Sequence, residues 1–410
     1  MILLILFMKN SILKTTLLTN GFMESWSIGG VSSFCRFFEV LVSAVVIYQI
    51  SQNALLVAIN SGLRVAPLFI LGWLLGRMAD SLDKRYLLVL SSIVFIFSSL
   101  IGFLLMFLGL IQVWHLLVIS LISGLGWAIE FPSRRSFIGE VLPKKNIYLG
   151  IGLDLSLSNL GRFIGPVVAG LMIDYLLNFA FLLSAFLYIF SLVMSLMLFN
   201  LKGDFTKKKK DYKKSPENIF LFLFKNNMYR TVLLVTIICN IWGFPTTSMV
   251  PVIAETILNI NATLLGILVG AEGAGCLIGS IIVAGVKNKR IQSFLFISGA
   301  FIFLTCIFLF SISEIYLVSL LLLFFGGLGI SGFSTMQSVI TVDRTQPELR
   351  GSALGYLSTT IGTQPLGALN VGITCSILAP HVGIRVSALE GILCMIIILL
   401  LSSYYNNKIK

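Results

Sequence analysis

The sequence predicts an all-α membrane protein of twelve transmembrane helices, arranged as two pseudo-symmetric six-helix bundles. Three observations predict this. Hydrophobic residues make up 57% of the 410 and charged residues only 11%, whereas soluble domains run at about 45–50% and about 25%. The mean hydropathy is +0.99. Second, the apolar residues fall in runs long enough to cross a bilayer, which takes about 20 residues, and not in the short alternating segments of a membrane barrel. A helix satisfies its own backbone, as lipid demands. Third, the cations gather in alternate gaps between these runs.

The spans fall near 26–50, 54–76, 86–110, 113–133, 147–172, 178–200, 229–252, 262–286, 291–312, 315–338, 351–377 and 383–403. Residues 1–25 form an N-terminal lead-in. Its apolar start, MILLILFMKN, is too short to cross a bilayer and carries its lysines after the run, unlike a cleavable signal peptide. Residues 26–200 make the first bundle, 201–228 a Lys-rich cytoplasmic linker, 229–403 the second bundle and 404–410 a cytoplasmic tail.

With both termini cytoplasmic, the inner segments hold all 29 Lys and Arg residues except Arg36, Arg64 and Arg162 within spans and Arg385 outside. Inner loops carry such an excess. The chain is therefore expected as an integral protein of the plasma membrane, the cell inner membrane of a bacterium. The net charge of +12 lies on that face, and KKKKDYKK in the linker reads as a solvated run drawn to anionic lipid. Nucleic acid is not an expected partner; the lipid bilayer and a small-molecule substrate are, and the chain is expected as a monomer.

The halves also echo each other. SGLGWA at 123–128 recurs as GGLGIS at 326–331, and GRFIGPVVAG at 161–170 corresponds to GTQPLGALNVG at 362–372. Repeats of six helices are a transporter architecture, with the substrate between them.

Several classes are excluded. The six cysteines stand singly in apolar runs, so neither a disulfide framework nor a metal site is expected. No Ser/His/Asp set, phosphate cradle or GxxxxGK[ST] occurs, which argues against an enzyme and against direct drive by ATP. No cofactor is expected; a proton gradient is the expected driving force.

GRMADSLDKR, residues 76–85, concentrates Arg77, Asp80, Asp83, Lys84 and Arg85 directly after an apolar run. With Gly76, Ala79 and this charge spacing it resembles the signature between helices 2 and 3 of the major facilitator superfamily, in the form ADxxD[KR]R of the branch containing siderophore exporters and macrolide-efflux-like proteins. The resemblance implies a cytoplasmic gate of Gly76, Asp80, Asp83, Lys84 and Arg85, with Asp80 meeting the start of helix 11 near Arg350 and Arg134 below helix 4. A second stretch resembles the helix 5 motif of the family's antiporters: Gly152, Gly161, Gly165, Pro166 and Gly170, with Ala169 where the pattern has glycine. Small residues at this spacing let helices approach closely, and Pro166 removes one backbone hydrogen bond. The resemblance implies export.

Ionisable residues within spans cost about 2.5–3.5 kcal/mol each and point to function. A carboxylate held partly out of water takes up protons more readily, so Glu39, Asp154 and Glu272 are candidates for proton coupling. Two of them have a competing reading as structural ion pairs, Glu39 with Arg36 or Arg64 and Asp154 with Arg162. Glu272 has no cation on its own span and is the leading candidate. Glu390 is expected to be structural. Trp127, Asn240, Trp242, Thr246 and Gln337 mix polar and aromatic surface as a substrate cavity does. The expectation is a secondary active, proton-coupled exporter of small amphipathic molecules working by alternating access. The alternatives are an importer or passive facilitator of the same fold, or a non-transporting receptor or assembly component.

Overall fold

The computed structural model describes residues 11–143, 146–201, 227–283, 286, 288–345 and 350–408, and among them it is helical throughout. A short α1 (Ser11–Leu17) leads into α2 (Phe22–Ser51) through Gly21, whose φ of 86° a side chain rarely adopts. Next come α3 (Ala54–Ser81), α4 (Lys84–Phe107), α5 (Val113–Val141), α6 (Ile147–Tyr175) and α7 (Ala180–Met197). The second half begins with α8 (Asn227–Ile238), continued by α9 (Phe244–Thr247) and α10 (Val250–Ile253). It proceeds through α11 (Ala262–Val283), α12 (Lys289–Phe310), α13 (Tyr316–Asp343), α14 (Arg350–Ile361), α15 (Gln364–Ile377) and α16 (Pro380–Lys408). Eleven segments among the described residues are long and apolar enough to cross a membrane.

Two expected spans are less regular than hydropathy suggested. The stretch expected at 229–252 runs from Asn227 to Leu258 and widens into π-helical turns at Cys239–Gly243 and Ala254–Leu258. Pro245 and Pro251 lie between those turns, and each lacks the N–H that a regular helix would use. The stretch expected at 351–377 is two shorter helices, α14 and α15. Pro365 stands in the first turn of α15 and has no N–H for the carbonyl of Ile361. A side chain at Gly362 in the break would lie 3.0 Å from Phe69 Cα of α3, a tight contact.

The internal repeat is visible in how helices begin and end. Asp83 caps α4 by accepting from the Arg85 N–H at 3.0 Å, and Asn288 caps α12 by accepting from the Arg290 N–H at 2.9 Å. The lysine after each cap then reaches an acid near the end of the following long helix. Lys84 Nζ lies 3.1 Å from Glu140 and Lys289 Nζ 3.9 Å from Asp343. At the opposite face Gln52 and Asn259, each ending the first long segment of its half, have φ of 49° and 47°. The face bearing Lys84, Glu140, Lys289 and Asp343 is called the charged face below; the other is the far face.

Within the first half α2 packs on α6, α3 on α5, and α4 on both α5 and α7; within the second α11 and α12 both pack on α13, and α15 on α16. The halves meet along α6 with α11 and α3 with α15. One apolar core runs across this junction, joining Phe38, Val45 and Tyr48 to Met249, Val252, Leu265 and Val371. Two of the polar ties across it lie at the far face. Gln52 Nε2 donates to Glu255 Oε1 at 3.4 Å, and Asp174 Oδ2 accepts from the Thr263 N–H at 2.8 Å and from its hydroxyl at 2.6 Å.

Candidate functional site

The centre of the molecule is organised by α6. Ideal side chains built at Gly161 and Gly165 would lie 2.7 and 2.8 Å from the Phe34 backbone, so α2 approaches there to near contact. One turn on, the face changes partner. A side chain at Gly170 would enter the backbone of Ala262 and Gly266, and one at Gly266 would enter that of Pro166 and Gly170. Pro166 offers no donor to the Arg162 carbonyl, and Gly273 of α11 packs against that carbonyl. The helix 5 motif thus serves two interfaces, one within a half and one between halves. An added Cβ at Gly152, its first glycine, would meet nothing within 4 Å.

The intramembrane charges are paired, though not always as the sequence suggested. Glu39 bonds Arg64 at 2.7 Å and accepts from Ser99 Oγ at 2.9 Å, so Arg64 and not Arg36 is its partner. Asp154 was expected to pair with Arg162. It pairs instead with Arg134, which also holds Glu130, while Ser32 donates to the second Glu130 oxygen at 3.3 Å. All three members of this triad are at most 3% exposed at the side chain. Arg134 is therefore part of a buried cluster in the first half, where the resemblance implied a gate residue.

Glu272 has no cation on its own span and takes one from another helix. Arg162 reaches it across the α6–α11 junction. The pair keeps 17% and 10% side-chain exposure, more than the Glu39–Arg64 or Arg134 groups. It is the ion pair that joins the two halves among the described residues.

Arg36 has a different setting. Its guanidinium carbon lies 4.6 Å from the ring centre of Phe37 and 4.6 Å from that of Trp127. Arg162 shares the Phe37 ring at 5.3 Å and approaches Phe244 of the second half at 6.0 Å.

The other expected substrate groups are turned to internal bonds. Asn240 Nδ2 donates to the Thr236 carbonyl at 2.9 Å and Gln337 Nε2 to the Thr236 hydroxyl at 2.7 Å. Thr246 donates to the Gly243 carbonyl. Trp242 Nε1 donates to Glu390 at 2.8 Å, which also accepts from Asn370. Of the five, Trp127 alone is tied to the central cations.

At the charged face Arg85 binds Asp83 through Nε and Nη2 at 3.0 and 2.6 Å. Burial alone would raise the Asp83 carboxyl. The hydrogen bonds from the Arg85 side chain and backbone, with the charges of Arg85 and Lys84, outweigh it and hold the group below the usual carboxylate range. Lys84 is fully buried against Glu140. Gly76 and Asp80 belong to α3 and Arg350 to α14, but their side chains lie outside the described residues.

The transmembrane secretion effector family matches residues 15–407. The chain belongs to this branch of the major facilitator superfamily, a family of membrane transporters and not of enzymes. Its relatives include the staphyloferrin A transporter of Staphylococcus aureus, 24% identical over 88% of this chain and 89% of that protein. The class H tetracycline resistance protein of Pasteurella multocida is 23% identical over 70% and 72%. A bacterial homolog of the human lysosomal transporter Spinster, solved inward-facing and unoccupied, has a TM-score of 0.68 at 12% identity, covering 94% of this chain and 95% of that one. A POT family transporter in complex with a thioalcohol-conjugated peptide reaches 0.73 at 12% identity over 94% and 96%. At these identities the structural likeness is one of fold.

Proposed function

We propose that this transporter is a proton-coupled exporter of small amphipathic molecules that works by alternating access between two six-helix bundles, residues 26–200 and 229–403, joined by the 201–228 linker. Counting α14 with α15 as one crossing gives twelve spans. The Lys/Arg-rich face is then cytoplasmic, with both termini, in the plasma membrane. On this reading the far face is external and the arrangement is closed to the outside.

The observation that carries the reading is the Arg162–Glu272 pair across the junction of the halves. When the halves part at the far face, Glu272 loses Arg162 and becomes the better proton acceptor. When they close again, Arg162 returns and expels the proton toward the cytoplasm. A ligand moves a two-state equilibrium only through its different affinity for the two states, and this pair supplies such a difference for the proton. Glu39 and Asp154 hold one arrangement within the first half, so they serve as structural members. Descent from a line that includes a siderophore transporter and a tetracycline resistance protein supports transport of amphipathic cargo. Asp80, Asp83, Lys84, Arg85 and Arg350 remain the proposed cytoplasmic gate.

The test is uptake into inverted vesicles under an imposed pH gradient, with fluorescein, Nile red and rhodamine 123 as an anionic, a neutral and a cationic probe. Wild type is expected to accumulate at least one probe in proportion to the gradient, and Glu272→Gln to lose at least tenfold of the gradient-driven rate. Accumulation that ignores the gradient would remove proton coupling.

A further inference from the structure

We infer that the transported molecule is an anion, held through a carboxylate or similar oxyanion by Arg36 beside the Phe37 and Trp127 rings. The inference rests on the transport reading above and names the charge of its cargo. Around the centre, the described residues set Arg36, Arg64, Arg134, Arg135 and Arg162 against Glu39, Glu130, Asp154 and Glu272. Each carboxylate is already engaged. Glu39 is taken by Arg64, Glu130 and Asp154 by Arg134, and Glu272 by Arg162. Arg135 lies 4.0 Å from the second Asp154 oxygen and 4.2 Å from the Phe131 ring centre. One positive charge is left over, and it is that of Arg36.

The surroundings of Arg36 increase its need for an anion. Arg162 and Arg64 lie close enough to repel its charge, and Glu130, which attracts it, is already bonded to Arg134. Both Arg36 and Arg162 lie over the Phe37 ring. Two aromatic rings stabilise a guanidinium from its faces, but they leave its in-plane donors unused. Arg36 Nε is buried without an acceptor. An arginine in a membrane interior normally pairs with an acid or a carbonyl, and the planar guanidinium fork matches an oxyanion edge-on. A half-buried, uncompensated guanidinium between rings is suited to receive a flat or aromatic anion. A cation placed there would meet two arginines.

The test is equilibrium binding to the purified full-length protein in nanodiscs of zwitterionic lipid, without any gradient, so that it stands apart from proton coupling. Fluorescein and rhodamine 123 share a xanthene core and differ in charge, and fluorescence polarisation reads both. Wild type is expected to bind fluorescein at least tenfold more tightly than rhodamine 123. Arg36→Gln is expected to lose at least tenfold for fluorescein and nothing for rhodamine 123, while Arg36→Lys, which keeps the charge but not the planar fork, falls between Arg36→Gln and wild type. On the wild type itself, fluorescein but not rhodamine 123 is expected to protect Arg36 from phenylglyoxal, read by mass spectrometry. Equal or tighter binding of rhodamine 123, no saturable fluorescein binding, or modification of Arg36 unaffected by fluorescein would overturn the inference.

Discussion

Arg134→Met is expected to destabilise the protein by about 3–5 kcal/mol, the usual consequence of leaving a buried charge without its partner. Arg134 neutralises both Glu130 and Asp154 in a pocket where all three side chains are at most 3% exposed. Removing it leaves two carboxylates facing each other out of water. Gly29 of α2 also packs directly against the Arg134 guanidinium, so the side chain fills space as well as carrying charge. The measurement is the thermal midpoint of the detergent-solubilised protein by fluorescence-detected size exclusion. The single variant should fall well below wild type. Adding Glu130→Gln and Asp154→Asn to it should recover most of the loss, because neutral amides do not need the arginine. A single variant as stable as wild type would show that the triad contributes nothing.

The second large effect is expected from Gly170→Leu. This position has no space for even a Cβ beside the Ala262 and Gly266 backbone. Forcing a larger group into a packed contact costs about 1–3 kcal/mol. The contact lies between halves, so each half keeps its own packing and the cost falls on the arrangement in which the far face is closed. A shift of 1.4 kcal/mol is tenfold in an equilibrium. Gly170→Leu should therefore express and fold, yet populate the far-face-open arrangement and transport at less than a tenth of the wild-type rate. Near-normal transport would mean that α6 and α11 do not need this close approach. Gly152, where an added Cβ would meet nothing within 4 Å, is the control: Gly152→Ala should leave transport unchanged.

Much of the fold was legible in the sequence, for a physical reason. Lipid makes long apolar runs obligatory, and those runs fix helices such as α4 and α7 within a few residues. Where the runs contain proline the same logic misleads. Hydropathy counts side chains and is blind to the missing donors of Pro245, Pro251 and Pro365, so the π-helical turns around α9 and α10 and the break between α14 and α15 went unseen. The prolines themselves were the available signal.

The candidate site was legible in its membership and not in its pairing. Every intramembrane acid and arginine singled out from the sequence lies in the interior or at the junction of the halves. For Asp154 the sequence offers Arg162 on the same helix, because helical spacing is what a sequence displays, while for Glu39 it offers both Arg36 and Arg64. Folding chose other helices: Arg134 from α5 for Asp154, Arg64 from α3 for Glu39, and Glu272 from α11 for Arg162. The matching lysine–acid contacts of the two halves, Lys84–Glu140 and Lys289–Asp343, had a signal in the shared Lys-Arg pair after Asp83 and Asn288. The polar candidates Asn240, Thr246 and Gln337 are engaged internally, because a hydroxyl or amide in lipid first satisfies itself on nearby backbone or a neighbouring side chain.

On the proposed mechanism, protonation of Glu272 governs whether the halves meet at the far face. Its most direct test is a distance distribution by pulsed electron paramagnetic resonance between spin labels at Asn53→Cys and Thr256→Cys, two exposed positions flanking the Gln52–Glu255 contact. A short distance should dominate in the wild type, and a longer one in Glu272→Gln, whose amide stands in for the protonated acid. One short distance, unmoved by the substitution, would show that the Arg162–Glu272 pair does not hold the far face closed.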